Sequence, residues 1–366
     1  MNTRILGACT TALLCSLAAS TAWAGYRVAP VTGSDALEIG ALLQVAHDLN
    51  LPEEGDANNA LFIRRARLDF QGALPQTRLT YRLQTEFARR NNPLLDAWVE
   101  TRLGGSLRLR VGLDLLPHHV QYATAPFRLA FTERSITSDF FSHPGGRDVG
   151  VSLRGDTGGS RWSLTLADGS GAMLPQRDDI AFLLAGRYTR ALLGPILEEE
   201  ISPAARDFPI ANVGVGFLAG MNNGTLGLFA APEAPEGFDP RAHFGTGYAD
   251  LRIQVGKIAV NLDGAFRYAM SADDDADLDP VLSWGFNALA GYLIQPDKIA
   301  LIMRFGLADP NMDADDDTEM RFGGGLVFFH RNSGHGWRTN LEYNGVIEGN
   351  DGPLNHNVRA MLTWSY

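Results

Sequence analysis

The chain has 366 residues, 45% hydrophobic and 20% charged, with 40 Gly and 2 Cys, and its 31 Lys+Arg against 42 Asp+Glu give a net charge of −11. This composition excludes a disordered or collagen-like chain and a disulfide-stapled scaffold. The acidity also speaks against nucleic-acid binding, because phosphate contacts need clustered positive charge.

Residues 1–24 read as a secretory signal, with Arg4 as the positive n-region, Ile5 to Ala19 as a mostly apolar h-region and Ala22-Trp23-Ala24 as the cleavage site. The mature chain is then expected to be a single domain from Gly25 to Tyr366. Arg4 is the one charged residue lost, so 30 Lys+Arg face 42 Asp+Glu and the net charge becomes −12. Cys9 and Cys15 leave with the signal, which removes thiol chemistry, zinc–cysteine sites and disulfides from consideration. Beyond the signal no run of 18 apolar residues exists, so no helix is expected to cross a hydrocarbon layer of about 30 Å.

Two-residue alternation then runs along the chain. The expected strands lie near Ala36 to His47, Phe62 to Gln71, Arg78 to Phe87, Leu95 to Leu103, Leu107 to Asp114, Asp148 to Gly155, Trp162 to Ala167 and Ile180 to Arg190. They continue near Ile210 to Gly220, His243 to Val255, Ile258 to Ala269, Ser283 to Ile294, Lys298 to Leu307, Glu319 to Phe329, Trp337 to Asn344 and His356 to Tyr366, sixteen in all. The clearest pair shows the logic: Leu79, Tyr81, Leu83, Thr85 and Phe87 alternate with Thr80, Arg82, Gln84 and Glu86, and Leu107, Leu109, Val111 and Leu113 alternate with Arg108, Arg110 and Asp114. Successive side chains on a strand point to opposite faces, so each of these strands has one apolar and one polar face.

Connections alternate in length. Short ones rich in turn residues include Ala73 to Thr77, Gly104-Gly105-Ser106, Gly256-Lys257 and Gln295-Pro296-Asp297, whereas Asp48 to Leu61, Leu115 to Arg147, Met221 to Ala242 and Met270 to Leu282 are long and polar. Ala191 to Pro209 breaks the rule: it falls on the short side, yet Leu192, Leu193, Ile196 and Leu197 ahead of Glu198-Glu199-Glu200 suggest a brief helical turn. Short turns on one rim and long loops on the other point to an all-β fold, a transmembrane antiparallel β-barrel of about sixteen strands. The polar faces would line a water-filled lumen and the apolar faces would meet lipid, closure satisfying every backbone polar group in the hydrocarbon. A secreted β-sandwich with its apolar faces turned inward is the alternative that membrane fractionation separates. The ending Met361-Leu362-Thr363-Trp364-Ser365-Tyr366 resembles the assembly signal of Gram-negative outer-membrane proteins.

Several stretches resemble the phosphate-selective porin O and P family of sixteen-stranded outer-membrane porins. They are Phe62-Ile63-Arg64-Arg65-Ala66-Arg67-Leu68-Asp69 with Gly72, Asp96-Ala97-Trp98-Val99, Val111-Gly112 with Pro117, Phe131-Thr132-Glu133-Arg134-Ser135, Gly146-Arg147-Asp148-Val149-Gly150-Val151, and Gly291-Tyr292-Leu293 through Pro296, Arg304 and Asp309-Pro310. The resemblance implies passive diffusion of small hydrophilic solutes, anions such as phosphate among them, with Leu115 to Arg147 folded into the pore as a third-loop constriction. It also implies a homotrimer in the outer membrane of a Gram-negative cell, both termini periplasmic, with membrane lipid and lipopolysaccharide as partners. Phosphate selectivity does not carry across: Gly112-Leu113-Asp114-Leu115-Leu116-Pro117-His118 lacks the family's Gln and Lys, and the chain has two lysines, Lys257 and Lys298.

Arginine takes lysine's place. Arg65, Arg67, Arg82, Arg102, Arg108 and Arg110 sit on polar faces, and Arg128, Arg134 and Arg147 in the third loop or at its end. A basic lumen wall favours anions. Alternatively, these arginines pair with Asp69, Glu86, Asp96, Glu100 and Asp114 and brace the barrel. Acidic runs holding Asp273, Asp274 and Asp275 and Asp315, Asp316 and Asp317 are weak candidates for loop-bound Ca²⁺ or Mg²⁺, though their spacing suits solvated loop tips better. No resident cofactor is expected. The eight His residues are scattered, no Gly-x-Ser-x-Gly elbow occurs, and an enzyme is not expected. The second functional reading is a barrel with a plugged lumen that serves as adhesin or scaffold.

Overall fold

In the computed structural model, side chains that alternate along each strand sort to two faces of one sheet, and the sheet closes on itself. The structure describes residues 26–28, 36–74, 77–88, 93–143, 146–169, 182–224, 241–271, 279–315, 317–330, 336–349 and 352–366. The signal segment and Asp273, Asp274, Asp275 and Asp316 lie outside the described residues.

A short strand β1 (Tyr26–Val28) precedes sixteen long ones: β2 (Ala36–Leu51), β3 (Asn58–Leu74), β4 (Leu79–Glu86), β5 (Leu94–Gly104), β6 (Leu107–Leu115), β7 (Arg147–Asp156), β8 (Ser160–Ala167), β9 (Phe182–Leu193), β10 (Arg206–Gly224), β11 (Arg241–Gly256), β12 (Ile258–Ser271), β13 (Val281–Gln295), β14 (Ile299–Asp309), β15 (Glu319–Phe329), β16 (Trp337–Glu348) and β17 (Leu354–Ser365). Each pairs antiparallel with its chain neighbours, and β17 returns to β2 with Trp364 opposite Leu43 and His356 opposite Leu51, closing a barrel of sixteen strands. Backbone bonds between Tyr366 and Ala41, at 2.8 and 3.2 Å, finish the seam. The expected strands are all present. Strand β1, which pairs with Leu37 to Ile39 of β2, was not anticipated.

Burial is inverted relative to a water-soluble protein. The outer face exposes Val99, Val111, Val151, Leu166, Val215, Phe266 and Met303, while the largest fully buried side chains are Arg267 and Arg338. A soluble chain seldom exposes an apolar patch beyond a few hundred Å². Here the apolar belt continues strand after strand, and the inner faces carry Gln84, Glu86, Glu100, Arg187, Asn261 and Asp263. Hydrocarbon outside and a polar interior fit this pattern; a sandwich does not.

The third loop, residues 116–146, contains α1 (Val120–Ala123), a 3₁₀ turn (Pro126–Arg128) and α2 (Ile136–Phe141). His119 and Ser135 cap the two helices by accepting hydrogen bonds from the amides of Gln121 and Ser138. The expected helical turn near Leu192 is corrected: Leu192 and Leu193 continue β9, and residues 194–205 form an irregular connection without helix. Leu193 still pairs with Ala211 of β10 and Leu192 is the extra residue of a bulge beside it, so the ladder outweighs their helical spacing.

Candidate lumen and its third loop

Two kinds of inner wall divide the barrel. On one side, β9 to β15 carry apolar inner positions that receive the third loop: Leu116, Ile136 and Phe141 pack with Leu183, Leu218, Phe244 and Tyr248, and Phe131 packs with Ile302, Val327 and Phe329. Gly306 makes room for this docking, since a Cβ there would lie 2.7 Å from Ile136 Cγ2.

Polar clamps hold the loop along the same side. The Asp263 carboxylate of β12 accepts from Thr137 Oγ1 and, at 3.3 Å, from Ser135 Oγ, faces His119 Nε2 at 3.2 Å, and is steadied by Asn287 Nδ2 at 2.7 Å. Glu342 accepts from the Thr132 amide at 2.9 Å and its hydroxyl at 2.7 Å, and Asn340 Nδ2 donates to the Ala130 carbonyl at 2.8 Å. Arg304 donates to the carbonyls of Glu133 and Arg134, both at 2.9 Å. Asp263, Glu342 and Arg304 thereby each keep partners away from water.

Glu133 crosses to a different part of the wall. Its carboxylate accepts from Arg64 of β3 at 2.6 Å and from Arg359 of β17, which also holds Asp48 at 2.6 Å. Burial opposes ionisation of Glu133, but the Arg64 hydrogen bond and the charges of Arg64, Arg359 and Arg65 hold its carboxyl down at about 2. Arg64 reaches inward because β3 bulges there: Gln44 faces Arg65 and Val45 faces Ile63, which leaves Arg64 without a partner in the β2–β3 ladder, so Arg64 and Arg65 both face the lumen side. Sequence reading missed Arg64, Glu133 and Arg359 as a unit. The signal was available: outward residues run Leu61, Ile63 and then Leu68, a change of parity that requires one extra residue.

The opposite wall, β3 to β8, bears most of the arginines expected from sequence, most of them paired with carboxylates. Arg67 pairs with Glu86 at 2.7 Å, and Arg82 with Asp69 at 2.6 Å and Asp96 at 3.2 Å. Arg147 reaches Asp96 at 2.8 Å; Arg110 lies 2.8 Å from both Glu100 and Asp114; Arg108 is 3.8 Å from Glu100; and Arg154 bonds Asp114. Arg110 also lies over the Trp98 ring, 3.4 Å from its centroid. Arg65 donates to the neutral Gln44 Oε1 at 2.6 Å, and Arg134 to the Gln121 carbonyl at 3.4 Å while stacking on Tyr122. On the wall, then, the seven guanidinium groups of Arg65, Arg67, Arg82, Arg108, Arg110, Arg147 and Arg154 stand with the six carboxylates Asp69, Glu86, Asp96, Glu100, Asp114 and Asp148, and Arg134 approaches from the loop. Arg102 is exposed at the short-turn rim opposite Arg108, and Arg128 sits 4.0 Å from Glu198.

Between the loop and this wall a cavity of about 270 Å³ remains, lined by Arg82, Arg110, Asp114 and Arg154 on the wall and by Val120 and Thr124 on the loop. Among the described residues no group of three His, Cys, Asp or Glu is placed to hold a metal ion. Asp315 and Asp317 sit in the connection between β14 and β15.

The family model for phosphate-selective porin O and P matches residues 40–278. No curated protein matches the sequence. Among solved structures, the anion-selective porin from Comamonas acidovorans superposes with a TM-score of 0.61 at 12% identity, covering 91% of this chain and 100% of its own. The trimer form of OmpT from Vibrio cholerae gives 0.60 at 10%, covering 91% and 100%, and OprB of Pseudomonas putida at high pH gives 0.59 at 9%, covering 90% and 94%. At these identities the likeness is one of fold.

Proposed function

The chain belongs to the phosphate-selective porin O and P family, and on that premise we propose that its barrel is an outer-membrane diffusion pore in which small anions pass between the arginine wall of β3 to β8 and the third loop. The observation that carries this is the lining of the space that the loop leaves open, where Arg82, Arg110, Arg154, Arg161, Arg187 and Arg252 outnumber Asp114, Glu198 and Asp250. Guanidinium stays charged and offers oxyanions a planar fork of donors. Interleaved carboxylates weaken each site, and conduction needs binding that is favourable enough to enter yet weak enough to leave.

Lys257 and Lys298 both lie in turns at the short-turn rim, so arginine alone supplies the positive charge of the wall, and we assign no preference for phosphate over other small anions. The rim of short turns, where β2 begins and β17 ends, faces the periplasm in this reading, with the long loops and lipopolysaccharide outside. Trimeric assembly, recorded for OmpT of Vibrio cholerae, is proposed here as well. Zero-current potentials across a planar bilayer in a KCl gradient test the selectivity: the expected sign is anion preference, and cation preference contradicts it.

A further inference from the structure

The connection between β9 and β10 does not hang in solvent. Residues 194–205 lie on the short-turn rim, where other connections range from Lys257 alone to residues 330–336, yet Ile201 is fully buried and Glu200, Ser202 and Pro203 nearly so. The segment is tied to the inner wall. The Leu197 amide donates to Asn212 Oδ1 at 2.6 Å, Asn261 Nδ2 to the Glu200 carbonyl at 2.8 Å, and the Asp297 amide to the Pro203 carbonyl at 2.8 Å. Gly291 provides the seat for Ile201, since a Cβ there would come within 2.5 Å of Ile201 Cδ1.

Its innermost residue meets the third loop from below. The Glu200 carboxylate accepts from Gln121 Nε2 and from the Ala130 amide at 2.7 Å, and the Glu200 amide donates to the Arg128 carbonyl at 3.2 Å. Two residues earlier, Glu198 is half-exposed and lines the same cavity as Arg82, Arg110 and Arg154, with its carboxylate 2.8 Å from Arg161 and 4.0 Å from Arg128.

We infer that the inward-folded β9–β10 connection is a second constriction of the diffusion pathway on the short-turn side of the third loop, and that Glu198 is a specificity-determining residue there. The inference rests on the lumen being the anion pathway proposed above. A carboxylate among guanidinium groups screens Arg161 and Arg128, shortening the stay of an anion before it leaves; Glu200 is a positioning residue that fixes the connection to the loop.

The test compares the chain from Gly25 to Tyr366 with its Glu198→Gln and Glu198→Cys variants in planar bilayers, folded barrels being selected by heat-modifiable gel mobility. Glu198→Gln is expected to raise the anion-to-cation permeability ratio by roughly two-fold and to saturate conductance at lower chloride, as tighter anion holding requires. With Cys9 and Cys15 confined to the expected signal, the Glu198→Cys thiol is the sole target for charged methanethiosulfonates. The sulfonate reagent should move selectivity back toward the parent and the trimethylammonium reagent should move it further toward anions, both reacting faster from the short-turn side. Unchanged selectivity in Glu198→Gln together with no effect of either reagent overturns the inference while leaving an anion-selective parent intact. A parent without anion preference defeats the functional proposal alone if charge-dependent modification at position 198 persists, and a silent parent defeats both.

Discussion

Glu133 bridges Arg64 and Arg359 across the β17–β2–β3 seam and so tethers the third loop to the wall that its apolar contacts do not reach. Its carboxyl, held at about 2 against an ordinary value of 4.5, gives this tether a defined pH range. A depressed acid contributes fully above its unfolded value and loses that contribution as pH falls through the folded one. Open-channel noise of the parent should therefore stay flat from about pH 5 to 8 and rise only as pH drops from about 4.5 toward 2. Glu133→Gln should be noisy throughout, and equal noise in both proteins at pH 7 would contradict the tether. His118 offers the opposite case: it is fully buried between Tyr122 and Tyr248, and burial, with His119 and His143 nearby, holds its pKa well below 6.5. A depressed His stabilises the fold above its unfolded value and that stability declines as pH falls below about 6.5. Thermal unfolding should show that the loss between about pH 6.5 and 5 is smaller in His118→Phe than in the parent. At this scale the sequence was partly legible. The carboxylates expected to pair with arginines do so, but Arg64 was hidden by the β3 bulge and Arg359 by its distance of 226 residues from Glu133.

Strands were legible because each carries its own period-two record, as β14 shows. Leu301, Met303 and Phe305 face out, while Ala300, Ile302 and Arg304 face in. Placing charge on the outer member of such a pair should be costly: Met303→Arg is expected to lower unfolding free energy in lipid vesicles by about 2–4 kcal/mol if position 303 lies near the bilayer midplane. Met303→Leu should change it little, and equal stability of the two variants would argue against lipid at this face. The loop elements were not legible. Helices of four and six residues are too short to show a 3.6-residue period, and they persist through caps and docking rather than propensity. Asp263 holds three of the loop's side chains, so Asp263→Ala should open residues 116–146 to protease in folded barrels while the parent stays resistant. Equal resistance would show that the apolar seats suffice.

Closure of the sheet joins these pieces into one object with two solvents, hydrocarbon around it and water within. The alternation of faces and of connection lengths made that architecture readable from the chain alone. Which half of the lumen the third loop occupies was not readable, because β13 to β15 present apolar residues on both faces and only docking tells Leu289, Ile302 and Val327 from their outward neighbours. The connection Ala191 to Pro209 stood out as an exception to the loop rule, but neither its inward fold nor its contacts with the third loop could be read, since they depend on three-dimensional proximity that no local pattern encodes. Single-channel recording of purified, folded protein in a planar lipid bilayer addresses the central claim most directly. Discrete, stable, ion-sized conductance steps are the expected result, whereas persistent silence from barrels shown to be folded and inserted would contradict a water-filled pathway and leave a plugged scaffold.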